Sequence, residues 1–192
     1  ARTHGQVLFD RVKARCNKNG NYVKRFPTYT NCEFHFLNFN YFMDWVHSVG
    51  GYRNIDEQGK IWCLDKDILI PRNKIYGPQQ CCFVPEYVNN CLIARGNDRG
   101  PYPIGANRIG GRSKRYSARC QTLEGRLHLG SFESPSMAHR AWQACKIQHI
   151  QNVVAKYKTE PNGFRLDVCN ALLSRSTKIQ QELTQNLETT EI

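Results

Sequence analysis

The sequence lacks any run of about 18 consecutive apolar residues, the length that a membrane-spanning helix requires. It also lacks the positively charged and then apolar opening of a secretory signal. We therefore expect neither a membrane protein nor a secreted one, and the sequence favours the cytoplasm.

Acidic residues are scarce relative to basic ones. The chain of 192 residues has 27 Lys and Arg against 16 Asp and Glu, a formal charge of +11. The basic residues are spread along the chain instead of forming one tail, which is typical of a folded basic surface. Such a surface predicts a polyanionic partner.

Closely spaced metal-ligating cysteines are also missing. A structural zinc site usually contains Cys-x(2–4)-Cys pairs, whereas the one close pair here is the adjacent Cys81-Cys82. The nine cysteines are an odd number in a chain without a secretion signal. We therefore expect reduced, mostly buried thiols and no zinc.

The N-terminal half predicts helices around a short hairpin. Apolar residues recur at helical spacing over 6–18 and over the aromatic segment 34–49. Two apolar runs, 60–65 and 81–84, predict strands separated by a polar loop, and Pro85 then suits the first turn of a helix. The predicted order is strand, loop, strand, helix.

The C-terminal half shows a clearer pattern. A Gly- and Arg-rich segment, 93–112, predicts a basic linker. Residues 115–121 and 126–132 alternate as strands around a turn at 122–125. Ser134-Pro135 then predicts the start of a helix at 135–157, and a short helix follows at 164–174.

The predicted C-terminal hairpin, residues 115–132, has one apolar face and one polar face. Its apolar face should pack on the helix 135–157, and its open face then carries basic and polar side chains. With a third strand at 104–107, the fold class is α+β: an N-terminal ββα unit with flanking helices, and a C-terminal three-stranded antiparallel sheet packed on one helix. The residues predicted on the open face of the hairpin are Arg115, Ser117, Arg119, Gln121, Arg126 and His128.

A small sheet of this kind fits the major groove of DNA. Arg119 and Arg126 are the candidates for bidentate contacts with guanine, and Gln121 for a contact with adenine. Asn107 lies on the third strand. The predicted phosphate anchors are Arg112, Lys114 and Arg115, and the linker residues Arg95, Arg99 and Arg108 are expected to follow the backbone or the minor groove.

The C-terminal pattern YSARCQTLEGRLHLGSFESPSMAHRAW resembles the plant APETALA2-type DNA-binding domain, with Leu129-Gly130-Ser131-Phe132 where that family reads close to LGTF. The upstream half resembles phage and mobile-element homing endonucleases of the HNH class. The residues that carry this second resemblance are 27–29, 39–45, 64–69, 76–85 and 88–89. The two resemblances imply a degenerate HNH-like domain at 1–92, a linker and first strand at 93–112, an APETALA2-type domain at 113–176, and a polar tail at 177–192.

The HNH resemblance implies a metal held by Asp65 and Asn89. The position of the general base holds Lys66 and the middle position Gln80. A lysine beside a carboxylate stays protonated at neutral pH, which makes it a poor base but suits a phosphate contact. His35 and His47 are alternative bases, although a histidine on an aromatic helix is usually structural.

The leading interpretation is a sequence-specific binder of double-stranded DNA, derived from a homing endonuclease, catalytically inactive and acting as a transcriptional repressor in a bacterial host. The alternative is an HNH-type endonuclease that requires Mg²⁺ or Mn²⁺; the inactive form requires no cofactor. No membrane or small-molecule substrate is expected, and the sequence leaves monomer and homodimer both open.

Overall fold

The computed structural model of the protein describes residues 2–93, 101–110 and 115–192. It is a mixed α+β fold, which confirms the predicted class. The chain divides into two compact units, Ala1–Pro85 and Glu86–Ile192. No helix in these described ranges is both long and apolar enough to cross a membrane.

The first unit consists of short elements. Its helices are α1 (His4–Cys16), α2 (Asn21–Arg25), a 3₁₀ helix (Pro27–Tyr29) and α3 (Phe39–Ser48). Its strands are β1 (Glu33–Phe34), β2 (Cys63–Asp65), β3 (Ile75–Tyr76) and β4 (Cys82–Val84). β2 and β4 pair antiparallel, as the hairpin prediction requires, and β1 pairs with β3 in parallel.

The prediction of a helix over 34–49 was wrong for its first five residues, 34–38. Glu33–Phe34 form β1 instead, and the helix starts only at Phe39. The reason is a local cap, because the side chain of Asn38 accepts a hydrogen bond from the backbone N–H of Tyr41 at 2.9 Å. The aromatic stripe of this segment packs in the core, where the ring centroids of Phe36 and Trp45 lie 4.9 Å apart.

The second unit is built around one long central helix. Its helices are α4 (Glu86–Cys91), α5 (Pro135–Tyr157) and α6 (Leu166–Thr184). Its strands are β5 (Ala106–Arg108), β6 (Tyr116–Thr122) and β7 (Gly125–Phe132), in the order β5-β6-β7 with both pairs antiparallel. The side chain of Ser134 caps α5 and Pro135 is its first residue, as predicted.

The last helix is longer than the sequence predicted. It was expected over 164–174, but α6 continues to Thr184 because Ile179, beyond the expected end, is buried. Residues 185–192 then fold back onto α5. Thr189 is fully buried, and the amide of Gln143 donates a 2.9 Å hydrogen bond to its hydroxyl oxygen.

Candidate nucleic-acid interface

The sheet packs on α5 through very small side chains. Ala106 of β5, Ala118 of β6 and Ala138 of α5 are each fully buried and form one cluster. Trp142 forms a neighbouring cluster with Ile104 and Cys120. The face with these residues is the inner face, and the opposite face of the sheet is the open face.

A bulge in β7 determines which side chains reach the open face. Ala118 pairs with Gly130 but Arg119 pairs with His128, so Leu129 is an extra residue on β7. Gly130 accommodates the bulge with a φ of 122°. Without the extra residue, His128 would share a face with Gly130 and Phe132; with it, Phe132 packs inward and His128 lies on the open face.

The open face therefore carries matched pairs of polar side chains on neighbouring strands. Arg119 lies opposite His128, and Gln121 lies opposite Arg126. All four side chains are exposed. Within the described residues, the side chains of Arg119, Arg126 and His128 form no hydrogen bond or ion pair. Their donors are available to an external acceptor.

Other predicted contact residues are less available. Ser117 lies between Asn107 and Ser131 in the sheet, but it is buried and its hydroxyl donates to the carbonyl of Asn107 at 3.4 Å. The small size of serine lets its neighbours cover it. Asn107 is half-buried, and Arg115 is exposed and donates a 3.0 Å hydrogen bond to the carbonyl of Ser131.

Several predicted residues cannot be placed on this face. Arg112, Lys114, Arg95 and Arg99 lie outside the described residues. Arg108 is exposed, but it pairs with Tyr116, whose ring packs on the inner face, so it sits at the end of that face.

The electrostatic character of the sheet is set by its sequence. Residues 95–126 contain eight Lys and Arg against two acidic residues, whereas residues 134–192 contain seven against five. The positive charge of the second unit is thus concentrated in the sheet and the segment leading into it. Glu124 lies in the turn between β6 and β7 and is not one of the paired residues of the open face.

A buried histidine fixes the start of the sheet relative to α5. The Nδ1 atom of His139 lies 2.7 Å from the carbonyl oxygen of Ile104, and its Nε2 atom accepts from the backbone N–H of Thr189 at 3.0 Å. The imidazole also stacks on Trp142, with centroids 5.4 Å apart. These contacts hold the residues before β5 and residues 185–192 on the same helix.

The position predicted for a nuclease base has a structural role. The ammonium of Lys66 is buried and donates to both carboxylate oxygens of Asp67, at 2.6 and 2.7 Å, and to the carbonyl of Asn73 at 2.6 Å. An ammonium has three donors, and all three have acceptors. The three donors of Lys66 are thus all used inside the first unit, and the phosphate contact at this position stays a prediction.

Asp65 is also used within its own loop. Its Oδ1 atom accepts the backbone N–H groups of Asp67 and Ile68, both at 2.7 Å. Burial raises the pKa of this carboxyl, although those two hydrogen bonds oppose the shift. Gln80 lies in the turn before β4 in the same unit, and Asn89 lies on α4 in the second unit. No group of three or more His, Cys, Asp or Glu side chains that could hold a metal ion occurs among the described residues.

The two remaining histidine candidates lie on the surface of the first unit. His35 is exposed and its Nε2 atom lies 2.8 Å from a carboxylate oxygen of Glu33, while His47 is exposed near the end of α3. All nine cysteines are free. Burial raises the pKa of Cys81 to about 12 and that of Cys91 to about 11, so these thiols are protonated at neutral pH.

Comparison with known proteins identifies no relative: no family model, curated protein or solved structure matches the chain.

Sequence reasoning missed the bulge and the buried polar contacts of α5. The isolated Gly130 inside an alternating strand was the available signal for the bulge. His139 and Gln143 gave no such signal, because their partners Thr189 and Leu187 lie more than 40 residues away along the chain.

Proposed function

We propose that this protein binds double-stranded DNA sequence-specifically through the open face of the sheet β5-β6-β7, without cutting it. The observation that carries the proposal is the pairing of Arg119 with His128 and of Gln121 with Arg126 on one exposed face. Arginine forms bidentate hydrogen bonds with guanine and glutamine with adenine, so this face matches the donors and acceptors of the major groove.

Two further features support a duplex as the ligand. The charge concentrated around the sheet favours the phosphate backbone, which supplies most of the affinity of such complexes. The paired rows on the open face also contain no Phe, Tyr or Trp, so the imidazole of His128 is the one ring among them on which an unpaired base can stack. The resemblance to the APETALA2-type domain agrees with this mode of binding.

The use of Lys66 and Asp65 as structural groups in the first unit supports the proposed inactive state. A protein that occupies a DNA site without cutting it blocks other proteins from that site. We therefore propose a role as a transcriptional repressor derived from a homing endonuclease.

The proposal is tested by selecting bound sequences from a library of random duplexes with the full-length protein. A sequence-specific reader enriches one motif over successive rounds, and its affinity falls with salt by about 0.9 log units per log unit of salt for each phosphate contacted. The matched control carries Arg119→Ala and Arg126→Ala together. Enrichment of the same motif by this variant, or of no motif by the wild type, would contradict the proposal.

A further inference from the structure

The first unit carries a basic surface that the sheet does not explain. Residues 11–29, here called the 11–29 strip, contain six Lys and Arg and no acidic residue. They span the second half of α1, all of α2 and the 3₁₀ helix, and α2 packs against α1. The exposed cations are Arg11, Lys13, Lys18, Lys24 and Arg25, and none of them forms an ion pair with a described residue.

Aromatic rings are interleaved with these cations. Phe26 is 40% exposed, so part of its ring is accessible to a ligand. Its ring centroid lies 4.9 Å from that of Tyr22, which in turn lies 5.4 Å from that of Tyr29. The guanidinium of Arg25 lies 5.4 Å from the centre of the Phe26 ring. The three rings form a row that ends at the surface.

Contacts with Arg15 and Lys74 hold the row of rings in place. The guanidinium carbon of Arg15 lies 5.3 Å from the ring centre of Tyr29, and its Nη1 atom donates a 3.2 Å hydrogen bond to the hydroxyl of Tyr76. The ammonium of Lys74 donates to the carbonyl of Thr28 at 2.8 Å. These contacts tie the strip to β3, so that Phe26 is presented without a large ordering cost on binding.

We propose that the 11–29 strip binds single-stranded nucleic acid, with an unpaired base stacked on Phe26 and neighbouring phosphates held by Lys24 and Arg25. Cations that follow the backbone together with exposed rings that stack on bases are the two elements of such surfaces. Inside a duplex the faces of the bases are already stacked, so an exposed phenylalanine gains little there. The strip therefore presents an exposed phenylalanine, a residue type that the paired rows of the open face do not contain.

This inference goes beyond the proposed function and does not depend on it, because the two ligands and the two surfaces are different. The test measures fluorescence anisotropy of the full chain with a labelled oligothymidylate of about 16 nucleotides, the upper site size of such surfaces, and with a duplex of the same length. The variant is Phe26→Ala. The matched controls are Leu37→Ala, which removes an apolar side chain that is 84% exposed in the same unit, and Phe26→Trp, which keeps a stacking ring.

We expect Phe26→Ala to weaken oligothymidylate binding by about 5-fold to about 150-fold, since one base stacked on an aromatic ring contributes about 1–3 kcal/mol. Phe26→Trp and Leu37→Ala should retain wild-type binding, and duplex binding should change by less than about twofold. The inference is overturned if the wild type does not bind the oligothymidylate or if Phe26→Ala binds it like Leu37→Ala. Equal losses for oligothymidylate and duplex would also overturn it, since a charged surface without stacking gives that result.

Discussion

Gly105 and Trp142 lie so close together that a Cβ atom on Gly105 would be 2.2 Å from Cγ of Trp142. Gly105 also has a φ of 83°, a conformation that glycine adopts far more readily than other residues. This contact places the residues that lead into β5 directly against α5. The position of the whole sheet on its helix thus depends on a residue without a side chain.

Replacing Gly105 with alanine should destabilise the second unit by about 2 kcal/mol or more, because the new methyl group both clashes with the indole and strains the backbone. Hydrogen exchange of the β6 amides measures this loss. Gly110→Ala is the matched control, since no described residue lies within 4 Å of a Cβ atom there and its φ is not positive. If both variants exchange at the same rate, the packing described for Gly105 is incorrect.

The stability of the second unit should depend on pH through His149. This imidazole is buried, its Nδ1 atom has no hydrogen-bond partner among the described residues, and burial together with the nearby charge of Lys146 lowers its pKa to about 4. The carboxylate of Glu124 opposes the shift. The unfolded chain binds a proton near pH 6.5 but the folded unit does not, so stability is lost as the pH falls from about 6.5 to about 4.

The contribution of this one group amounts to at most about 1.4 kcal/mol per pH unit in that window. His149→Leu should remove it and flatten the pH dependence, as measured by hydrogen exchange of the β6 amides between pH 4.5 and 7. Gln148→Leu, an exposed neighbour on α5 that does not titrate, is the control. An unchanged slope in His149→Leu would show that the folded and unfolded chains bind a proton at His149 equally, which contradicts the lowered pKa.

The protein should not nick DNA in the presence of Mg²⁺ or Mn²⁺. The physical reason is that Lys66, at the position of the general base, has its three donors committed, while Asp65 accepts two backbone N–H groups. A supercoiled plasmid incubated with the protein and either metal reports single nicks. Metal-dependent nicking that disappears in Asp65→Ala would establish the nuclease instead.

Removal of the Lys66 ammonium should destabilise the first unit. Lys66→Met leaves the Asn73 carbonyl without the ammonium donor and removes the ion pair between Lys66 and the half-exposed Asp67 carboxylate, a loss of about 1–3 kcal/mol. Urea unfolding followed by fluorescence of Trp45 and Trp62 measures it. Lys60→Met, an exposed lysine of the same unit, is the comparison. Equal stability of the two variants would mean that Lys66 does not hold this loop.

The sequence predicted the sheet well because the signal there is local. Alternation over 115–121 and 126–132 identified both strands, and Ser134-Pro135 identified the first turn of α5. The open-face positions of Arg119 and Arg126 followed from the same alternation. Since side chains alternate with a period of two, a correctly placed strand assigns its faces up to a bulge, which in β7 lies at Leu129.

What the sequence did not predict depends on long-range packing. The sequence suggested that Lys66 replaces the general base of a nuclease. In the structure its ammonium donates to the carbonyl of Asn73, seven residues away, and this contact gives it a structural role. The short strand β1 exists because Glu33 and Phe34 pair with Ile75 and Tyr76, which no local pattern indicates. The extent of α6 likewise depends on packing that buries Ile179.

The central claim is that the open face of the sheet distinguishes base sequence and does not act only as a charged surface. The most direct test compares Arg119→Ala, Arg126→Ala and Arg115→Ala, each titrated with the selected duplex and with a random duplex. Lys158→Ala, an exposed basic residue after α5, controls for charge alone. Arg119→Ala and Arg126→Ala should each cost about 1–3 kcal/mol on the selected duplex and much less on the random one. Arg115→Ala, at the proposed phosphate anchor, should weaken both about equally. If Arg119→Ala and Arg126→Ala instead lower the affinity for both duplexes by the same factor as Arg115→Ala, the sheet does not read sequence and the account is contradicted.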